Sequence, residues 1–361
     1  MLIFDAHLDL AWNGVEWNRN LELPCRQIRE FEKHFPEIVP GDCTVSFPEM
    51  HKGRIGLCVA TLLPRLHRKQ KELTFYQSRE SAHAMALGQL AYYRAFVRKG
   101  VLVEISDKAT LQREYDRWQS AISAKPSDVS ADPPLGFILS MEGAPPIQEP
   151  AQVQQWFDWG LRIVGPAHYG PNEYCHGTGS VGGLSADGRE LLKEMDRLGL
   201  ILDATHLCDQ SFREALDCFG GSVWASHSNC RVLTPHNRQF TDEQIKELIG
   251  RGAVIGAPLD AWMMIPNWVR GQTTPEATGL KLDKMVEHID HICQLAGNAN
   301  HSGIGTDLDG GFGREQSPMD LDTIADLQRL PELFRARGYS ATDIEGMMHG
   351  NFLRFLRSAW R

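Results

Sequence analysis

Histidines and carboxylates in this chain gather just after short apolar runs. His7 and Asp9 follow the run at residues 2–6, Glu142 follows 136–141, His168 follows 162–167, His206 follows 200–204, His227 follows 222–226 and Asp307 follows 303–306. Neutral imidazole and carboxylate are the usual zinc ligands of hydrolytic centres. A glutamate such as Glu142 can bridge two cations, one on each oxygen. In the His7-Leu8-Asp9 pair, positions i and i+2 can point to one side once the strand breaks into a loop. His206 and His227 lie 21 residues apart, enough for one strand–helix–strand unit.

Each residue has a blander reading on its own. A histidine after an apolar run is commonly a packed or hydrogen-bonded one. Glu142 before Gly143 can be a loop carboxylate, and Asp307 and Asp309 can be turn or cap residues. Six strand ends carrying metal-type residues are hard to obtain from turns and caps. Other motifs are set aside. Gly177-Thr178-Gly179-Ser180-Val181-Gly182 spells a dinucleotide fingerprint, but no strand precedes it. His288 and His291 lie on a helical apolar pattern and are expected to hydrogen-bond structurally. Ser226-His227-Ser228 lacks the GxSxG elbow of a serine nucleophile.

The elements that must position these residues are eight apolar runs, at 2–6, 55–63, 136–141, 162–167, 200–204, 222–226, 253–257 and 303–306. Most are continuous rather than alternating, as parallel strands buried on both faces are. Residues 101–105 form a ninth candidate, an extra strand or the edge of a connection. Helical patterns lie between the runs. One covers 188–198 and ends at Gly199; Thr241-Asp242-Glu243-Gln244 and Thr342-Asp343-Ile344-Glu345 read as capping boxes. Strands alternating with helices imply a parallel α/β fold; eight units suggest a closed (β/α)8 barrel over an open sheet, though counting alone does not decide between them. All strand ends then open on one face, where barrel active sites lie. No composition shift marks a boundary, so residues 1–361 are expected to form a single domain, with 126–134 as a surface loop.

Bulk properties exclude several function classes. The chain has 361 residues, 42% hydrophobic and 23% charged, with a net charge of −9. That acidity argues against nucleic-acid binding. No apolar run reaches membrane-spanning length. The N-terminus enters a strand-like run with no basic region before it, so no signal peptide is expected. Eight dispersed cysteines without a CxxC pair point to reduced thiols and a cytoplasmic protein.

The ordered motifs Asp5-Ala6-His7-Leu8-Asp9-Leu10, Ser140-Met141-Glu142-Gly143, Leu202-Asp203-Ala204-Thr205-His206, Ala225-Ser226-His227-Ser228-Asn229 and Gly303-Ile304-Gly305-Thr306-Asp307-Leu308-Asp309-Gly310 resemble the membrane (renal) dipeptidase family. The likeness runs from residue 2 to about 356. It implies a (β/α)8 TIM barrel with a binuclear metal site at the C-terminal end of the strands. It further implies two Zn2+ bridged by Glu142 and a water or hydroxide. His7, Asp9 and Glu142 would hold one zinc, and Glu142, His206 and His227 the other. His168 matches a substrate-polarising histidine, Arg238 an arginine that grips the substrate carboxylate, and Asp307 a catalytic aspartate. The expected substrate is a small free dipeptide, with no nucleic-acid or membrane partner and room for a homodimer. The chain departs from the family pattern at Ala60-Thr61-Leu62-Leu63-Pro64-Arg65, in the long loop after His168, and at Gln239. Rival readings are a barrel metallohydrolase acting on a lactone, β-lactam or N-acyl amino acid, and a non-catalytic metal-binding scaffold.

Overall fold

A computed structural model describes residues 1–35, 41–65, 76–124 and 132–360. Every expected apolar run is a strand: β1 (Phe4–Leu8), β2 (Leu57–Leu62), β3 (Leu102–Glu104), β4 (Leu135–Glu142), β5 (Leu161–Gly165), β6 (Ile201–Asp203), β7 (Val223–Trp224), β8 (Ile255–Ala257) and β9 (Ser302–Ile304). The strand order is β7-β6-β5-β4-β2-β1-β9-β8, and the pairings along it are parallel. A parallel bridge between Ala225 and Ile255 joins the two ends of that order. There Ala225 N–H donates to Val254 O at 3.1 Å and Gly256 N–H donates to Ala225 O at 2.9 Å. The result is an eight-stranded (β/α)8 barrel. β3, the ninth candidate, lies outside this order and pairs only along β4.

The strands read as continuous apolar runs because both faces are covered: β1, β2 and β4 are buried at every position. Helices form where sequence signals place them. Ala186–Leu198 begins at Ser185, whose hydroxyl accepts the Gly188 N–H, and ends at Gly199 with φ 72°. Asp242–Gly250 starts with the Thr241 capping box. The second expected box is shifted. Its cap is Ser340, which exchanges hydrogen bonds with Asp343, so Thr342 already lies inside the helix Ala341–Glu345. A serine two residues upstream offers the same hydroxyl chemistry with a better-placed third position. The helix Asn351–Ala359 packs on one end of the barrel, its Phe352 ring 5.2 Å from both Phe4 and Trp224. Of the loop expected at 126–134, residues 126–131 lie outside the described residues.

Closure of the barrel is tight. A Cβ on Gly256 would stand 2.0 Å from Ser226 O, and one on Gly305 would stand 1.8 Å from it. Only hydrogen fits there, so β7, β8 and β9 meet through two glycines. Gly305→Ala should therefore lose about 2–3 kcal/mol of stability, read as a lower denaturation midpoint. Gly250→Ala, on a helix with nothing within 4 Å of the added carbon, should be neutral or slightly stabilising. Equal midpoints for the two variants would contradict this account of closure.

Candidate metal centre and reaction cavity

The strand ends converge as their positions require. His7 lies within β1 and Asp9 just past it, while Glu142 is the last residue of β4. His168, His206, His227 and Asp307 each sit three residues past the last residue of their strand: Gly165, Asp203, Trp224 and Ile304. Two of them hold unusual backbone, His206 at φ 68° and Asp307 at φ 56°. Non-glycine residues avoid that region, and the strain turns each side chain back over the barrel mouth. Buried aspartates brace these turns. Asp5 accepts hydrogen bonds from Thr306 N (2.9 Å), Thr306 Oγ1 (2.6 Å) and His7 N (3.1 Å), tying β1 to the β9 end. Asp203 Oδ1 accepts from Thr205 N and Ser226 N, tying β6 to the β7 end.

Glu142 stands at the centre. Its Oε2 lies 3.5 Å from His7 Nε2, and its Oε1 lies 3.1 Å from His206 Nε2 and 3.3 Å from His227 Nε2. The two carboxylate oxygens thus face separate imidazoles. His7 Nε2 also lies 3.8 Å from Asp9 Oδ1 and 3.8 Å from Asp307 Oδ1. Yet His7 Nε2, Asp9 Oδ1 and Glu142 Oε1 are buried without a hydrogen-bond partner. Buried polar atoms are rarely left so. Donor atoms within 4.8 Å of one another form three groups: His7, Glu142 and His227; Glu142, His168 and His206; His7, Asp9 and Asp307.

The rings are held from behind. Thr178 Oγ1 lies 3.0 Å from His206 Nδ1, and Ser226 Oγ lies 2.8 Å from His227 Nδ1. Both contacts leave Nε2 for the centre, the arrangement that orients metal-binding imidazoles. Burial, with Arg238 and His168 behind it, holds the His206 pKa well below its ordinary value. Burial does the same for His227, helped by His7 and Arg238. Both rings are therefore neutral, the form that binds a cation. Burial opposes a charge on His7, but Glu142 and Asp9 outweigh it and raise its pKa well above the ordinary value. Burial raises Asp307 well above the usual carboxylate range and raises Glu142 as well. Donor types, orphaned atoms and oriented rings all fit a divalent metal centre.

Above the centre lies a cavity of about 270 Å³, lined by Asp9, Glu142, His168, His206, His227, Arg238 and Asp307. All of the expected site residues except His7 line it, and His7 lies directly beneath. Arg238 is buried, donating from Nη1 to Ser228 Oγ (2.8 Å) and from Nη2 to His227 O (2.9 Å). Ser228 therefore positions the arginine, and Ser226 positions His227. The glycine-rich segment contributes Thr178 as the brace of His206. His288 accepts from Cys230 N and contacts Met264 O, and His291 contacts Asp242, so both are structural. Gln239 accepts from Asn229 N and donates to Met263 O, holding two loops together. Asp309 is anchored elsewhere, accepting from Thr44 N, Thr44 Oγ1 and Val45 N.

Sequence reasoning missed further residues of the cavity wall: Trp12, Asp260, Trp262, Met263 and Arg270. Tyr169, Leu63 and Arg65, in the two departing segments, also line it. Asp260 could have been found, because it follows the run at 253–257 after Pro258 and Leu259. The aromatic and arginine residues carry no such signal; loop geometry alone brings them in.

The profile of the membrane dipeptidase family, peptidase family M19, matches residues 1–360. A Klebsiella pneumoniae protein encoded in the region 5′ of pqqA is 28% identical over 239 residues, 64% of this chain and 84% of the relative. An uncharacterized dipeptidase of Schizosaccharomyces pombe is 29% identical over 231 residues, 61% of this chain and 52% of the relative. The chain thus spans about half the length of that yeast relative. Among solved structures, a metallopeptidase of family M19, dipeptidase AC, superposes with a TM-score of 0.78 at 22% identity, covering 100% of this chain and 99% of that one. This likeness carries the same barrel. The chain belongs to the membrane dipeptidase family, peptidase family M19.

Proposed function

We propose that this chain is a zinc-dependent dipeptidase that hydrolyses the amide bond of free dipeptides. The observation that carries the reading is Glu142, whose two oxygens face separate sets of imidazoles beneath a cavity that also holds a buried arginine. His7, Asp9 and Glu142 would hold one ion, and Glu142, His206 and His227 the other. Such ions supply Lewis acidity, polarising a carbonyl and bringing the deprotonation of water into the neutral range.

The chain's own groups do the rest. Arg238 receives the substrate carboxylate; its guanidinium is already held by Ser228 and the His227 carbonyl, so little freedom is lost on binding. That grip sets the scissile bond over the centre and favours free dipeptides over longer chains. His168, at the cavity wall beside His206, stabilises negative charge developing on the carbonyl oxygen. Asp307 takes a proton at its carboxylate as the nucleophile forms and returns it to the leaving amine. Its location between His7 and the open cavity suits that transfer. We further place the protein in the cytoplasm, because its eight cysteines are free thiols, as a reducing compartment keeps them. Among the described residues no helix is long and apolar enough to cross a membrane.

A panel of L-L and L-D dipeptides, a lactone, a β-lactam and an N-acyl amino acid tests the reaction class. Dipeptides should be turned over fastest; faster turnover of another class would replace this reading. Asp307→Asn should keep its metal by elemental analysis and lose about 100-fold or more in kcat. Unchanged kcat would remove Asp307 from proton transfer. Arg238→Ala should raise KM about 10- to 100-fold for substrates with a free carboxylate. An equal loss on amidated dipeptides would argue against the grip.

A further inference from the structure

Asp260 is the residue of the cavity wall that the mechanism leaves unused. It stands three residues past Ala257, the end of β8. His168, His206, His227 and Asp307 hold the same place on their strands. Leu259 N–H donates to Thr306 O at 2.9 Å, fixing this turn against the segment that carries Asp307. Asp260 is 7% exposed and lines the same cavity as Arg238.

The carboxylate is oriented but not neutralised by its hydrogen bonds. Gln316 Nε2 donates to Oδ1 at 2.6 Å, and Trp262 Nε1 donates to Oδ2 at 2.7 Å. Both donors are uncharged and each occupies one oxygen, so further acceptor capacity remains on both. Arg270, also on the cavity wall, donates to Gly311 O. Burial pushes the Asp260 pKa up to about 7, with Gln316 and then Arg270 acting against it. Asp260 is absent from the three groups of metal-capable side chains found among the described residues. A buried carboxylate with acceptor capacity left on the cavity side is a receptor for a hydrogen-bonding cation.

We propose that Asp260 binds the α-ammonium group of the substrate and so selects peptides with a free amino terminus. The proposal rests on the dipeptidase reading above and deepens it. An extended dipeptide places its two charged ends about 7 Å apart. One cavity offers Arg238 to the carboxylate and Asp260 to the ammonium of that zwitterion. The two residues are also coupled through the protein. The Trp262 ring lies 4.7 Å from the His236 ring, and His236 Nδ1 accepts the Arg238 N–H at 3.0 Å. Trp262 and His236 thus link Asp260 to Arg238, so both charged ends are read against a common frame. A primary ammonium has three N–H groups and can span the two carboxylate oxygens, whereas an N-acyl amide is uncharged and offers one.

The test compares L-Ala-L-Ala with its des-amino analogue, propionyl-L-alanine, on the metal-loaded protein. Wild type should prefer the dipeptide strongly. In Asp260→Asn, kcat/KM for the dipeptide should fall about 30-fold or more, mainly through KM. The value for propionyl-L-alanine should change little, so the preference collapses. Asp260→Ser, which still accepts the Trp262 N–H, is measured alongside in case the asparagine variant folds poorly, and metal content is recorded for each. An active wild type whose preference survives in both variants overturns the assignment of Asp260 alone. A wild type inert toward L-Ala-L-Ala overturns the dipeptidase reading and this proposal together.

Discussion

Three carboxylates and four imidazoles share one largely buried volume at the mouth of the barrel, and the rest of the structure follows from that. Asp9, Glu142 and Asp307 each bring a carboxylate oxygen within 3.8 Å of His7 Nε2, so their like charges gather around one imidazole. His7 draws a proton in response, while His206 and His227 stay neutral because burial forbids them one. An apolar packing of the same volume would be the more stable choice, since gathered buried charges carry a desolvation cost. Such a cluster is maintained for what it binds. Divalent ions there would satisfy the orphaned atoms of His7, Asp9 and Glu142.

Holding that cluster demands rigidity, and the barrel supplies it through its strand ends. The same offset past β5, β6, β7, β8 and β9 delivers His168, His206, His227, Asp260 and Asp307 to one face. Left-handed backbone at His206 and Asp307 is tolerated because buried aspartates brace the adjoining strands. Asp5 and Asp203 stand outside the cavity lining and hold the turns through their hydrogen bonds. The glycines opposite Ser226 serve the same end, bringing β8 and β9 close enough for Asp260 and Asp307 to share a wall.

The barrel was legible because parallel strands covered on both faces leave continuous apolar runs, and each run became a strand within about two residues. The polar residue after a run was equally legible, since it interrupts the pattern abruptly. That signal reached His7, Asp9, Glu142, His168, His206, His227 and Asp307 together. Asp260 gave a weaker signal, because Pro258 and Leu259 separate it from the run at 253–257. The functions of Thr178, Ser226 and Ser228 were not legible, because a hydroxyl bracing a ring or a guanidinium leaves no periodic trace. Of the two loop aspartates, nothing in the pattern tells that Asp307 faces the cavity while Asp309 anchors Thr44 and Val45. Both have positive φ, and the direction each takes depends on packing many residues away.

The account depends on the buried cluster holding two cations that are needed for turnover. The most direct measurement strips the protein with a chelator and returns zinc in known amounts while following hydrolysis of a dipeptide. Activity should vanish on stripping and recover to a plateau at two equivalents per chain. Full activity without metal, or a plateau reached with no zinc retained, would contradict it.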